Sequence, residues 1–125
     1  MQVIKIDPLN KTVSYVDIDD TLESIYEQLE CDIFTCPITL DNKDCLYVDD
    51  EGLLVPEYKG AFYFGDYPQP YFGNGLIIGT SIEGDNQDVL SSIKNIENKV
   101  KFLPEHTGEY LLEQMKNTGF TFIPM

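Results

Sequence analysis

The residues able to do chemistry in this 125-residue chain are one histidine, three cysteines and 22 carboxylates. His106 stands in Pro104-Glu105-His106-Thr107-Gly108. A Cys–His or Ser–His pair would activate a nucleophile, but no cysteine or serine here carries a local nucleophile signature. An exposed histidine beside a helix cap is the preferred reading. Cys31, Cys36 and Cys45 together with His106 make an accepted zinc ligand set. Their spacing argues against it, because Cys31 and Cys36 are five apart on what reads as one strand and would point to opposite faces. Cys36 and Cys45 can approach each other across a turn, and as small hydrophobes in a sheet the three need no metal. Asp17-Ile18-Asp19-Asp20-Thr21 begins like a calcium loop, but Leu22 stands where the glycine is required. The acidic run from Glu83 to Asp88 fits helix capping without an ion. No glycine-rich loop ends in Lys-Ser or Lys-Thr, and no two carboxylates are singled out for acid–base work. No residue therefore emerges as catalytic or metal-binding, no cofactor is implied, and the chain is expected not to be an enzyme.

Charge is more informative. The 22 acidic residues face 8 lysines, arginine is absent, and the formal net charge is −14. Residues 1–58 hold 14 acids and 3 lysines, whereas residues 59–125 hold 8 acids and 5 lysines. A field of this sign repels nucleic acid and anionic membranes and attracts basic partners, although it also serves solubility alone. Asp17, Asp19, Asp20, Asp49, Asp50 and Glu51 are the candidate acidic surface. Without a guanidinium fork, any phosphate site would have to use lysine or backbone N–H groups.

The stretch from Tyr58 to Gly75 is unusual in another way: seven of its eighteen residues are aromatic, interleaved with glycine and proline. Rings on a loop supply rigid contact area at low entropy cost. They could equally fold back and seal the edge of a core. If the segment binds a flat ring, Tyr63, Tyr67 and Tyr71 would stack on it and Lys59 would supply the nearest positive charge.

These features need a scaffold, and the length suits one domain spanning residues 1–125. Val3–Ile6 and Thr12–Ile18 alternate around a turn at Asp7-Pro8-Leu9-Asn10 and read as a β-hairpin. Asp20 can cap a helix with Glu23 reaching back, and Leu22, Ile25, Tyr26 and Leu29 form its apolar stripe. Cys31–Cys36 and Cys45–Val48 read as strands joined by a turn at Asp41-Asn42. Asp49-Asp50-Glu51-Gly52 reads as a tight turn leading to Leu53-Leu54-Val55. Leu76–Ile82 is the best candidate for a central strand buried on both faces. A helix with an acidic cap should then carry Val89, Ile93, Ile96 and Val100 on one face. A last helix should open at Thr107, carry Leu111, Leu112 and Met115, and stop at Gly119, with Phe120 and Phe122 in an edge strand. This order predicts an α+β domain: an antiparallel or mixed β-sheet with two or three helices packed on it.

Several pieces together resemble a phage and mobile-element family, domain of unknown function number 3846. They are the start Val3-Ile4-Lys5-Ile6-Asp7-Pro8, the helix opened by Thr21-Leu22-Glu23, and the strand Asp32-Ile33-Phe34. To these are added Tyr47-Val48-Asp49-Asp50-Glu51-Gly52-Leu53-Leu54 and the glycine-bounded Gly75-Leu76-Ile77-Ile78-Gly79. The resemblance covers roughly residues 1–95 and departs at the aromatic segment. It implies a phage or mobile-element setting and a fold, but no activity and no catalytic residues.

With no apolar run near the ~20 residues a membrane span requires, no secretory signal and an odd number of cysteines, the expected location is the host cytosol. The expected role is non-catalytic: an accessory protein whose acidic surface binds a basic host protein, in the service of counter-defence. A nucleotide-like small-molecule binder using residues 58–75, and an immunity or antitoxin-like inhibitor of a basic toxin, are the alternatives. Neither direct nucleic-acid binding nor membrane association is expected, and nothing in the sequence bears on oligomeric state.

Overall fold

A computed structural model describes residues 1–51 and 58–117. Strands β1 (Gln2–Asp7) and β2 (Thr12–Asp17) form the expected hairpin, with six residue pairs running from Gln2↔Asp17 to Asp7↔Thr12. Its turn is held by Asp7, whose carboxylate accepts from the backbone N–H of Asn10 at 3.2 Å and from the Asn10 side-chain amide at 2.9 Å.

Helix α1 (Leu22–Leu29) is capped by Thr21, not Asp20: the Thr21 hydroxyl accepts from Ser24 N–H at 3.2 Å. Thr21 is extended (φ −138°, ψ 155°), the backbone a cap needs, and this moves the helix start one residue on from the expected one. Ile25 and Leu29 are buried, whereas Leu22 is 57% exposed and falls off the stripe. The helix ends at Glu30, whose left-handed backbone (φ 53°) aims its N–H back at the carbonyls of Tyr26 and Glu27.

Strands β3 (Phe34–Thr39) and β4 (Cys45–Asp49) follow, with a bulge in β3 between Thr35 and Ile38. Cys31 lies before β3, its N–H bonded to the Tyr26 carbonyl, so it shares no strand with Cys36. The expected turn through Gly52 and strand at Leu53–Val55 extend outside the described residues, as do Gly119, Phe120 and Phe122.

Strands β5 (Ala61–Phe64), β6 (Tyr71–Phe72), β7 (Gly75–Thr80) and β8 (Asn86–Gln87) precede helix α2 (Ile93–Lys99). Strand β9 (Val100–Phe102) and helix α3 (Glu105–Asn117) close the described chain. Ser92 caps α2 through a bond from Asn95 N–H at 3.2 Å, so the expected acidic cap is absent. Val89 precedes that helix, bonding Gln2 through its N–H, and Val100 begins β9. Helix α3 opens at Glu105, two residues before Thr107.

The strands form two antiparallel sheets, one ordered β2-β1-β7-β4-β3 with β8 on β7, the other β6-β5-β9. Strand β7 is central, and Leu76, Ile77 and Ile78 are buried on both faces as its continuous apolar run requires, but it ends at Thr80, so Ser81 and the fully exposed Ile82 fall outside the expected strand. One face of the larger sheet (Ile4, Ile6, Leu46, Val48, Ile77) packs against Phe62 and Phe64 of the smaller sheet and Ile96 of α2. The other face (Val3, Leu76, Ile78) packs against Ile25 and Leu29 of α1. A third cluster joins Ala61 and Phe72 to Leu103 and Leu112, so α3 covers the smaller sheet. The domain is α+β: α1 covers the outer face of the larger sheet, α3 covers the smaller sheet, and α2 adds Ile96 to the core between them.

Candidate functional site

The candidate site is assembled around α1. Ile18 is buried and locked to Met1 by reciprocal backbone bonds of 2.9 Å, which turns its neighbours Asp17 and Asp19 outward. Asp20 is exposed beside them, and Glu23 and Glu27 are exposed on the outer face of α1. Glu23 and Glu27 are four apart, a like-charge spacing that weakens an isolated helix by a few tenths of a kcal/mol. Glu23 gains from the helix N-terminus, but no basic residue in the last turn offsets Glu27. Asp17, Asp19 and Glu27 border a concavity of about 360 Å³ with Ile18, Ser24 and Met1, whose ammonium is taken up by the Ile18 carbonyl. Among the described residues, none of these five carboxylates has an ion-pair partner.

Asp49, Asp50 and Glu51 lie at the far end of β4, apart from Asp17, Asp19 and Asp20. Burial pushes the Asp49 carboxyl above its ordinary range against an opposing bond from Glu51 N–H (2.8 Å), with the Asp50 charge adding to the rise. Asp49 borders a second cavity of about 290 Å³ with Asp7, Glu30, Lys59 and Asn74. The last turn of α1 separates the two cavities: Glu27 and Gln28 line one, Leu29 and Glu30 the other. Asn74, buried on the β6–β7 connection, fixes that turn by donating to the Gln28 carbonyl at 3.0 Å and to Glu30 at 3.3 Å. The result is an acidic band flanking α1, to which the fold adds Glu23, Glu27, Glu30 and Asp7. Lys59 Nζ interrupts the band 3.6 Å from Glu30 Oε1.

The structure scatters the four proposed stacking residues. Lys59 sits in the second cavity. Tyr63 packs beside Leu103 and Leu112 under α3, because strand alternation sends it opposite to Phe62 and Phe64. Tyr71 is half-buried with its ring centroid 5.7 Å from Phe62, and burial pushes its hydroxyl pKa up. Tyr67 is 48% exposed and borders a groove of about 690 Å³ between the β3–β4 turn and α2, where Lys99 supplies a cation. Most rings of the segment therefore seal the core, and Tyr67 is the exposed one.

His106 is exposed in the first turn of α3. Among the described residues no three His, Cys, Asp or Glu side chains are arranged to hold a metal ion, and no helix is long and apolar enough to cross a membrane.

Residues 1–101 match the family model described as domain of unknown function (DUF3846). The chain belongs to this family. In this DUF3846 domain the matched range spans the aromatic segment, the larger sheet and the whole acidic band and ends within β9, whereas α3 lies beyond it. No curated protein and no solved structure shows significant similarity to the chain.

Proposed function

We propose that this DUF3846 protein is a non-catalytic phage or mobile-element accessory protein that acts in the host cytosol by docking on a basic host protein through the acidic band flanking α1. The observation that carries the reading is the set Asp17, Asp19, Asp20, Glu23 and Glu27, exposed and without ion-pair partners among the described residues. A chain gains no folding stability from like charges gathered in this way, whereas an unneutralised patch steers and holds a partner of opposite sign. A nucleic-acid-binding enzyme of a host defence system fits this chemistry, since carboxylates can occupy a groove built for phosphates. Co-purification from host lysate at low and high salt tests the reading. A basic partner retained at low salt, released at high salt and not retained by a charge-neutralised variant supports it; retention by that variant overturns it.

The second reading, a nucleotide-like ligand, is favoured by one arrangement: Tyr67 beside Lys99 in the groove near α2. A thermal-shift panel of nucleotides and cyclic nucleotides tests it, because saturating ligand raises the melting temperature by mass action.

A further inference from the structure

Beyond Tyr47, one face of the larger sheet ends in a group of thiols and hydroxyls. Thr39 and Cys45 are direct cross-strand partners, and Thr39 Oγ1 lies 3.8 Å from Cys45 Sγ and 4.0 Å from Cys36 Sγ. Thr80 Oγ1 approaches Cys45 Sγ to 3.5 Å from β7. Cys36 falls within the β3 bulge, its Sγ directed at the Ile38 carbonyl at 3.4 Å, and the Thr39 hydroxyl stands within 4.0 Å of both thiols. Both are half-buried and so open to a small reagent.

Burial works against a thiolate at Cys45, yet the neighbouring Thr80 and Thr39 hydroxyls, with Cys36 and Tyr47 adding to them, outweigh it and lower the Cys45 pKa. Cys36 is pushed the other way, by burial and then by the neighbouring Cys45, so Cys45 is the more acidic of the two thiols. Cys31 is the internal contrast: burial, with Asp49 adding to it, raises its pKa to about 11.

We propose that Cys45 and Cys36 form a peroxide-reactive dithiol, with Cys45 attacking and Cys36 resolving, which closes to a reversible disulfide between β3 and β4. The Cys45 thiolate attacks one oxygen of hydrogen peroxide; the S–O bond forms, the O–O bond breaks, and the departing hydroxide takes a proton from solvent to become water. Cys36 then attacks the Cys45 sulfur; the S–S bond forms, the S–O bond breaks, and the hydroxide leaves with the Cys36 proton as a second water. Two thiols lose two electrons in total and one peroxide becomes two waters. The site is independent of the acidic band, and a transient disulfide is the form such pairs take in a reducing compartment.

The test treats the full chain with a small excess of hydrogen peroxide in the presence of dimedone, followed by intact-mass and peptide analysis. The parent protein should lose two hydrogens to a Cys36–Cys45 disulfide that dithiothreitol reverses, with Cys31 reacting at least about tenfold more slowly. Cys36→Ser should accumulate a dimedone adduct at Cys45, and Cys45→Ser should leave Cys36 and Cys31 largely unmodified over the same time. Thermal melts of both variants establish that each is folded. Cys31 reacting as fast as Cys45, or no Cys36–Cys45 peptide in the parent, would overturn the proposal.

Discussion

The hydroxyl of Ser91 donates to Asp44 Oδ2 at 2.6 Å, with both residues buried. The same carboxylate accepts from Ser91 N–H at 2.8 Å and from Leu90 N–H at 3.1 and 3.2 Å, so one side chain ties the β3–β4 turn to the segment leading into α2. Asp44 has no exposed surface, and deleting it leaves three donors without an acceptor. Asp44→Ala is expected to lower unfolding free energy by about 3 kcal/mol or more, and Ser91→Ala by about 1–2 kcal/mol. Urea melts of both variants measure this, and equal small losses would show that the network is not an anchor.

Gly108 of α3 faces the Tyr58 ring so closely that a Cβ added there would fall on the Tyr58 hydroxyl. That hydroxyl is buried without a hydrogen-bond partner among the described residues. Gly108→Ala should therefore destabilise the domain, although alanine favours a helix over glycine by about 1 kcal/mol. Tyr58→Phe should leave stability unchanged or raise it, since it removes an unpartnered polar atom. Thermal melts of the two variants decide both points.

The aromatic segment divides by burial. Phe62→Ala and Phe64→Ala should each cost about 3–5 kcal/mol of folding stability, because both rings are almost wholly enclosed between the sheets. Tyr67→Ala should cost less than about 0.5 kcal/mol, and Tyr71→Ala should fall between. Denaturant melts that ranked Tyr67 with the phenylalanines would contradict the display of Tyr67 in its groove.

The hairpin and the central strand were legible because their patterns are strong: alternation in Val3–Ile6 and Thr12–Ile18, and an unbroken apolar run at Leu76–Ile78. The smaller sheet was not. Strands β5, β6 and β9 are 4, 2 and 3 residues long, too short to show alternation, and glycine and proline surround two of them. Val89 and Val100 sit at helical spacing from Ile93 and Ile96 by coincidence, one serving a backbone bond to Gln2 and the other a strand. The acidic residues near Asp17 were readable as a surface, but the contributions of Glu30 and Asp7 follow from how α1 crosses the sheet. Asp44 carried no distinguishing signal: it looks like its exposed neighbour Asp41, and only the approach of Ser91 from 47 residues away buries it.

Alkaline pH should weaken the fold. Burial, with the Asp49 charge next, raises Cys31 from 9.0 to about 11, and burial, with the Cys45 charge next, raises Tyr47 from 10.0 to about 12. The folded chain holds both protons more tightly than the unfolded chain. As pH rises through 9 to 11 for Cys31 and 10 to 12 for Tyr47, the unfolded chain is the first to ionise and stability falls. Urea midpoints across this range should decline in the parent and decline less in Cys31→Ala and Tyr47→Phe.

The most direct measurement of the docking claim compares the parent with a variant carrying Asp17→Asn, Asp19→Asn, Asp20→Asn, Glu23→Gln and Glu27→Gln, each used to capture proteins from host lysate. Any basic protein captured by the parent is then purified and titrated against both at several salt concentrations. The account predicts that the parent binds it with an affinity that falls steeply as salt rises, and that the variant, equally stable in a urea melt, binds at least about tenfold more weakly. Equal binding by parent and variant, or binding indifferent to salt, would contradict it.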